Sequence, residues 1–209
     1  SYFNSSKISN CKFVKTSGAG AGVELRNASV MRDCQFEGNT NVNNQIIYAV
    51  DDNVLIEDCK IRNNTSTRNS FIYLSNSKIN RCQITDNTVS SNVIESYNSK
   101  AKISNCLICD NTCPESYRTI YMYGGVSMIN CTVARNVTKN ANVIYMYNST
   151  LKNSIIVGNT TNSSYSNILA KEGSNTIQNN MFEGTFVDGN IDGSMTYAAF
   201  TDAENRDYS

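Results

Sequence analysis

Apolar and polar positions recur along the chain with a period of about two dozen residues. The clearest copy covers residues 78–87, where Ile79 and Ile84 flank Cys82. The cysteine position recurs at steps of 23, 25, 23, 24, 25, 23 and 26 residues. Its occupants are Cys11, Cys34, Cys59, Cys82, Cys106, Cys131, Ser154 and Asn180. Regular periods of roughly 20 to 50 residues are typical of solenoids, propellers and arrays.

Each repeat holds three short segments with β-strand alternation. An apolar residue stands three positions before the cysteine in the first segment and two positions after it in the second. The second segment ends at a column of asparagines, Asn39, Asn64, Asn87, Asn111, Asn136 and Asn159. A loop of variable length follows, and then the third segment, as at residues 71–75 and 119–123. The pattern predicts three strands and one solvent-exposed loop in each coil.

A backbone corner is predicted between the first two strands, because an odd step of three cannot place Ile79 and Cys82 on one side of a straight strand. All but one of the residues directly before the cysteine position are Asn or Asp, which tolerate a left-handed bend. They are Asn10, Asp33, Asp58, Arg81, Asn105, Asn130, Asn153 and Asn179. Since stacked Asn side chains can pass amide hydrogen bonds from coil to coil, we predict an asparagine ladder at this corner.

Together these features predict an all-β parallel β-helix, a solenoid of about eight coils of 23–26 residues with three short strands per coil. A leucine-rich repeat has a similar period, but the chain lacks the leucine ladder. Strands stacked at about 4.8 Å give a rod of roughly 40 Å. We expect coils over residues 1–185 and a segment over residues 186–209 that leads towards a missing or partial cap. The chain begins inside a repeat, so we expect a segment of a longer protein.

Composition removes several classes of function. The 18 Lys and Arg residues balance 18 Asp and Glu residues, and no basic stripe is present, so we expect no nucleic-acid partner. Histidine is absent, which excludes His-dependent catalytic triads and His-ligated zinc. The longest apolar runs are too short to span a bilayer. We predict no cofactor, no metal and no membrane span in this segment.

Three short pieces carry a family resemblance: Ile-Ser-Asn-Cys-Lys-Phe at 8–13, Phe-Glu-Gly-Asn at 36–39 and Ile-Thr-Asp-Asn at 84–87. They resemble the repeats of right-handed parallel β-helix surface proteins, the pectate-lyase-like group, over about residues 7–185. That group includes chlamydial polymorphic membrane proteins and adhesin-like proteins of bacteria and archaea. The resemblance implies a right-handed helix and an extracellular or cell-surface location.

Relatives of this fold also include polysaccharide lyases, which place clustered aspartates for Ca²⁺ and an arginine base on the third strand. Here that strand face carries only Glu24, Arg26, Glu95 and Lys171, on coils that we judge too far apart to converge. A glycosidase needs two carboxylates about 5 to 10 Å apart. The nearest acidic group is Asp51, Asp52, Glu57 and Asp58, which lies at turns, so we interpret it as a solvated corner. We predict no catalytic residue and favour a module that is not an enzyme.

The six cysteines of the column are interpreted as small buried side chains that stack well inside the coils. Like residues on stacked parallel strands stay near 4.8 Å apart, which exceeds the Cβ separation that a disulfide prefers. Cys109 and Cys113 lie outside the column and bracket the start of a loop. For these two, a local disulfide and two free thiols are equally weighted alternatives.

Tyrosines concentrate on the outward face of the third strand. Seven of the 12 stand there, Tyr48, Tyr73, Tyr97, Tyr121, Tyr123, Tyr145 and Tyr147. They form two columns, of which the first is interrupted by Glu95 and ends at Leu169, and the second ends at Lys171. One interpretation is a ladder favoured by the strand propensity of Tyr. The other is a binding surface for a glycan or a protein partner.

Asn-x-Ser/Thr sequons are frequent, and Asn63, Asn136 and Asn162 are the candidate glycosylation sites in loops. We predict a non-catalytic extracellular or cell-surface module, structural or adhesive, with the tyrosine face as its binding surface. One alternative is a polysaccharide lyase or glycosidase whose catalytic coils lie outside this segment. A further alternative is a filament or spacer subunit that associates end to end, because an open-ended rod can stack on its own kind.

Overall fold

The computed structural model describes residues 1–18, 22–41, 45–115, 117–139, 141–161, 169–182 and 191–192, which form a parallel β-solenoid without helices. Sheet A contains β1 (Tyr2–Asn4), β5 (Val23–Arg26), β9 (Ile47–Val50), β13 (Ile72–Ser75), β17 (Ile94–Tyr97), β21 (Ile120–Tyr123), β25 (Ile144–Tyr147) and β29 (Leu169–Glu172). Sheet B contains β2 (Lys7–Ser9), β6 (Val30–Arg32), β10 (Leu55–Glu57), β14 (Lys78–Asn80), β18 (Lys102–Ser104), β22 (Ser127–Ile129), β26 (Thr150–Lys152) and β30 (Thr176–Gln178).

Sheet C contains β3 (Lys12–Val14), β7 (Gln35–Glu37), β11 (Lys60–Arg62), β15 (Gln83–Thr85), β19 (Leu107–Cys109), β23 (Thr132–Ala134), β27 (Ile155–Val157), β31 (Met181–Phe182) and β32 (Ile191–Asp192). Sheet D contains β4 (Ser17–Gly18), β8 (Thr40–Asn41), β12 (Thr65–Ser66), β16 (Thr88–Val89), β20 (Thr112–Cys113), β24 (Val137–Thr138) and β28 (Thr160–Thr161). The predicted parallel β-helix with three main strands per coil is therefore confirmed. The two-residue strands of sheet D are an addition, because two residues carry no periodicity and were assigned to the loop.

Left-handed corners turn the chain between strands, and in the middle of the rod a buried residue follows such a corner. In one coil Asn76, Arg81 and Asp86 have φ of 56°, 51° and 61°. Ser77, Cys82 and Asn87 follow these corners and are at most 1% exposed. The corner predicted before the cysteine column is confirmed, since every residue of that column has positive φ, including Arg81. Asn and Asp dominate these corners because a left-handed backbone costs them less than other side chains.

The asparagine ladder lies one corner later than predicted, in the column from Asn39 to Asn159. Each Oδ1 accepts the backbone N–H and the side-chain amide of the asparagine one coil earlier, at 2.8–3.1 Å. At the predicted corner, one exposed step of such a ladder is present, in which Asn130 Nδ2 donates to Asn105 Oδ1 at 3.3 Å. Asn105 Nδ2 in turn donates to Asn80 Oδ1 at 2.7 Å, outside that column. The reason is geometric: the left-handed residue points outward, and the residue after it points into the coil.

The cysteine column is buried from Cys34 to Cys131, as predicted, whereas Cys11 in the first coil is partly exposed. The column also supplies hydrogen-bond acceptors. The backbone N–H of Cys59 donates to Sγ of Cys82, at 3.4 Å. Where the cysteines end, the N–H of Cys131 donates to Oγ of Ser154 at 3.1 Å, and the N–H of Ser154 donates to Oδ1 of Asn180 at 2.9 Å. Cys, Ser and Asn therefore share one role at this corner, which is to accept a hydrogen bond from the preceding coil.

Candidate functional site on the outer face of sheet A

The four-residue strands of sheet A place every second side chain on an outward face. In β21, Ile120 and Met122 are fully buried, whereas Tyr121 is partly exposed and Tyr123 is 40% exposed. Parallel pairing then aligns equivalent residues, so that Tyr121 lies beside Tyr145 in the next coil. This repetition brings all seven predicted tyrosines together on one face. We call Tyr48, Tyr73, Tyr97, Tyr121, Tyr123, Tyr145 and Tyr147 the tyrosine ladder.

Three pairs of rings in the ladder stack face to face between coils, and Tyr97 is tilted against its neighbours. Tyr121 and Tyr145 have ring centroids 5.0 Å apart and planes within 7°. Tyr123 and Tyr147 are 4.5 Å apart with planes within 11°. These separations match the spacing of parallel strands, so the rings stack without displacing the backbone. Stacking covers the ring faces and leaves edges and hydroxyl groups towards solvent.

Tyr97 joins the two columns where Glu95 interrupts the first. Its ring centroid lies 5.6 Å from that of Tyr73, 5.8 Å from that of Tyr121 and 6.1 Å from that of Tyr123. Its hydroxyl donates to Oε1 of Glu95 at 2.6 Å. The interruption seen in the sequence is therefore bridged, and the seven rings form one continuous cluster.

Arginine side chains lie over rings at both ends of the ladder. The guanidinium of Arg26 lies 5.5 Å from the centroid of Tyr48, and it also pairs with Glu24 at 2.7 Å. The guanidinium of Arg118 lies 4.9 Å from the centroid of Tyr145 and 5.7 Å from that of Tyr121. Both are cation–π distances. The contribution of Arg118 was missed from the sequence, because it stands in a variable loop without a fixed place in the repeat.

The last strand of sheet A corrects the predicted ends of the two tyrosine columns. Ala170 and Glu172 are the register partners of Tyr145 and Tyr147, whereas Leu169 and Lys171 continue the inward columns. The preceding loop is long, and strand alternation alone does not fix the phase after it. Glu172 therefore lies on the same face as the tyrosine ladder. Lys171, which the sequence assigned to this face, does not.

Burial makes four phenols of the ladder weaker acids. It is the main cause that raises the pKa of Tyr73, Tyr121 and Tyr145 above the ordinary value. The pKa of Tyr97 is raised most, by burial and then by its hydrogen bond to the Glu95 carboxylate. These four tyrosines therefore present neutral hydroxyl groups at physiological pH.

The acidic group near the turns is ion-paired. Glu57 is 8% exposed and contacts Arg32 at 2.8 Å and Arg81 at 3.0 Å. Arg81 also contacts Asp58 at 2.8 Å, and this hydrogen bond lowers the pKa of Asp58. Asp51 lies 4.0 Å from Arg26, and Asp52 pairs with Lys100. The predicted solvated corner is instead a set of cross-strand ion pairs, which also accounts for Arg81 at an Asn/Asp position.

The structure does not form a disulfide between Cys109 and Cys113, which are both free. They belong to separate apolar clusters: Cys113 packs in the main core, and Cys109 packs with Ala134 and Val157 on the other side of sheet C. A backbone corner at Asp110, with φ of 55°, separates them. The two thiols therefore point to opposite sides of the wall.

The three candidate glycosylation sites have different surroundings. Asn63 is exposed at a corner with φ of 55°. Asn136 was assigned to a loop, but it is fully buried in the asparagine ladder, where a glycan has no room. Asn162 lies outside the described residues. Of the three, only Asn63 is placed by the structure where a glycan could attach.

Two other kinds of site are absent from the described ranges. No helix there has the length and apolarity needed to cross a bilayer. Nor do three His, Cys, Asp or Glu side chains of the described coils gather as ligands for a metal ion.

Comparison with known proteins adds a family match. A model described as a right handed beta helix region matches residues 1–136. No curated protein matches the chain. Among solved structures, two trypsin-treated variants of QnrB1, a plasmid-mediated fluoroquinolone resistance protein, are similar at 12% and 10% identity. The alignments cover 82% of this chain and 91% and 92% of those chains, with TM-scores of 0.26 and 0.24. At these scores the two structures carry no argument about function.

Proposed function

Because the chain belongs to the right-handed β-helix family, whose model matches residues 1–136, we propose that it is a non-catalytic module that binds a partner through the tyrosine ladder. The observation that carries the proposal is the continuity of the ladder. Seven half-exposed rings on one sheet form a single cluster, with arginines over rings at both ends. Tyrosine and arginine are enriched at the centres of protein interfaces.

A protein surface is the partner that this face fits best. Sugar rings stack on open aromatic faces, but Tyr121 and Tyr145 use theirs on each other. Ring edges and neutral hydroxyls suit packing against apolar side chains and hydrogen bonding to backbone carbonyls. Sheet A is also regular in register, so its hydroxyls recur in rows. A structural or adhesive role follows from such a rod carrying a flat contact surface.

An extracellular or cell-surface location forms part of the same proposal. Its support is the resemblance of the coil sequences, such as residues 8–13 and 36–39, to those of β-helix surface proteins. Binding of cell-surface material by the purified chain therefore tests location and function together.

Retention on immobilised cell-surface extracts is the direct experiment. One aliquot of each extract is treated with periodate, which destroys glycans, and another with protease. We expect retention to survive periodate and to be lost after protease. The double variant Tyr121→Phe and Tyr145→Phe removes two hydroxyls but keeps the stack, and it should reduce retention at least threefold.

Tyr117→Phe is the matched control, because Tyr117 is 43% exposed in the same coil but lies outside the ladder. Loss of retention after periodate would assign the face to a glycan instead. Equal retention of the double variant and the control would remove the ladder as the binding surface.

A further inference from the structure

Arg118 differs from most arginines of the described coils, because no carboxylate of those coils pairs with it. Its Nε atom is buried without a hydrogen-bond partner, and its guanidinium lies over the rings of Tyr121 and Tyr145. Arg26, at the other end of the tyrosine ladder, also lies over a ring but pairs with Glu24 at 2.7 Å. Carboxylates likewise pair with Arg32, Arg62, Arg81 and Arg135. Arg118 is thus a cation that aromatic rings hold in place and that the described chain leaves unpaired.

Two carboxylates flank Arg118 along the rod. Glu95 is the register partner of Tyr121, one coil before it. Glu172 is the register partner of Tyr147, one coil after it. Burial raises the pKa of Tyr121, and Arg118 opposes that shift. The Glu95 and Glu172 carboxylates raise the same pKa further, so all three charges act on one phenol. The later part of the ladder therefore carries charges in the order negative, positive, negative.

The spacing of these charges matches the side-chain spacing of an extended chain. The strands of Glu95 and Glu172 are three steps apart in sheet A, which is roughly 14 Å at about 4.8 Å per step. The guanidinium of Arg118 lies over rings from the two coils between them. In an extended segment every second side chain lies on one face, so positions i and i+4 are also about 14 Å apart. Such a segment, laid along the rod, places three successive side chains of one face over the three charges.

We propose that the partner of the tyrosine ladder presents an extended segment with one carboxylate between two cationic side chains, in the pattern Lys-x-Glu-x-Lys. The carboxylate contacts the guanidinium of Arg118, and the two cations contact Glu95 and Glu172. This inference rests on the proposed function, and it adds the charge pattern by which the face selects its partner.

Charge complementarity favours this protein segment over a polyanion. The planar guanidinium of Arg118 matches the geometry of a carboxylate. A polyanion would bring further negative charge against Glu95 and Glu172, and like charges across an interface are unfavourable. The rings beneath Arg118 restrain its side chain before binding, so less conformational freedom is lost when the contact forms.

Cyclised β-hairpin peptides test the pattern directly with the purified chain. The first probe carries Lys-Thr-Glu-Thr-Lys on one strand, the second carries Glu-Thr-Lys-Thr-Glu, and the third carries Lys-Thr-Lys-Thr-Lys. Dissociation constants are measured by calorimetry at low ionic strength, because salt screens exposed charges. We expect the chain to bind the first probe at least tenfold more tightly than the second. Equal affinities, or no binding of the first probe, would overturn the proposal.

Charge reversal at Arg118 identifies the central contact. Arg118→Glu should shift the preference from the first probe to the third by at least threefold, because the third presents a lysine to the new carboxylate. Lys102→Glu is the matched control, since it makes the same change of charge at an exposed position on sheet B. The control should keep the natural preference, and thermal melts show whether each variant is folded. If Arg118→Glu does not fold, Arg118→Gln provides the comparison, with an expected shift of at least twofold. A folded Arg118 variant with the natural preference would overturn the contact.

Failure of this inference can be distinguished from failure of the proposed function. If extracts are retained through the tyrosine ladder but the three probes bind alike, the charge pattern alone is wrong. If the probes are distinguished as expected but no extract is retained, the proposed function is wrong for those surfaces and the charge preference of the face stands.

Discussion

Asn87 accepts two hydrogen bonds from Asn64 through a single side-chain oxygen atom. Oδ1 of Asn87 accepts the backbone N–H of Asn64 and its side-chain amide, both at 3.0 Å. Nδ2 of Asn87 in turn donates to the backbone carbonyl of Ile61 and to Oδ1 of Asn111, both at 2.9 Å. Asn64 and Asn87 are each 1% exposed. The Asn87 side-chain amide thus satisfies two backbone groups, the N–H of Asn64 and the carbonyl of Ile61. It does so at a corner where the backbone hydrogen bonds between strands are interrupted.

Replacing this amide should strongly destabilise the rod. Asn87→Ala leaves the buried N–H of Asn64 and the carbonyl of Ile61 without these partners, and each such group costs about 1–3 kcal/mol. We expect a loss of about 2–4 kcal/mol in urea unfolding. Asn63→Gly is the control, because Gly keeps the left-handed corner and Asn63 is exposed. A loss no larger for Asn87→Ala than for the control would contradict this role of the ladder.

The role of the cysteine column as a set of hydrogen-bond acceptors can be tested by comparing the stabilities of two variants. Cys82→Ser keeps an acceptor for the N–H of Cys59, whereas Cys82→Ala removes it and leaves a small cavity. We therefore expect the Ser variant to be more stable than the Ala variant, by about 1 kcal/mol. Unfolding midpoints measured under reducing conditions decide the order. The reverse order would mean that Cys82 acts only as a small apolar side chain.

The ion pair between Arg81 and Asp58 should make the stability of the rod depend on pH in the acid range. Its hydrogen bond lowers the pKa of Asp58, so the stability from this pair is present above the unfolded-state pKa of about 3.9. That stability is lost as pH falls through the lower folded-state pKa. Since the pair is exposed, Arg81→Asn should lower the melting temperature by less than about 3 °C at pH 7.

In acid, the difference in stability between Arg81→Asn and the natural chain should disappear or reverse. Asn suits the left-handed corner better than Arg, whose φ is 51°. Once Asp58 is protonated, Arg81→Asn should be at least as stable as the natural chain. Glu57 keeps Arg32 and Asn80 as partners in the variant. Thermal melts over a pH series from 7 downwards through the acid range provide the measurement, and a deficit that grows steadily in acid would contradict the argument.

Tyr97 should make the tyrosine ladder sensitive to alkali. Burial and the Glu95 carboxylate raise its pKa, so its stability contribution is present below the unfolded-state value of about 10. The contribution declines as pH rises towards the folded-state pKa. We expect Tyr97→Phe to lose less stability than the natural chain between pH 8 and pH 11. Tyr117→Phe, outside the ladder, should lose as much as the natural chain, and equal losses in all three would remove Tyr97 as the cause.

Much of this fold was predictable, because each coil repeats the same arrangement of strands and left-handed corners. The cysteine period gave the coil length, and the Asn and Asp residues before it marked a left-handed corner that the structure confirms. The assignment of the ladder failed because Asn64 and Asn105 look alike in sequence. Only the backbone shows that Asn105 is itself the left-handed residue, whereas Asn64 follows one and points inward.

The candidate site was predictable in its regular part only. Tyr121 and Tyr145 occupy fixed places in the repeat, so their alignment follows from strand pairing. Arg118 and Glu172 reach the same face after loops of irregular length, where the repeat does not fix the phase. The outward position of Cys109 follows from alternation, but its burial was not predicted from the repeat.

The asparagine ladder gives the rod a chemical direction. Each side-chain amide from Asn39 to Asn136 donates to Oδ1 of the asparagine in the next coil, beginning where Thr16 donates to Oδ1 of Asn39 at 2.7 Å. The bonds of the column all run in the same sense along the rod. The two ends of the stack are therefore unlike each other. Any partner that continues the column, whether a neighbouring coil or another molecule, can do so in one sense only, as successive peptide dipoles do along an α-helix.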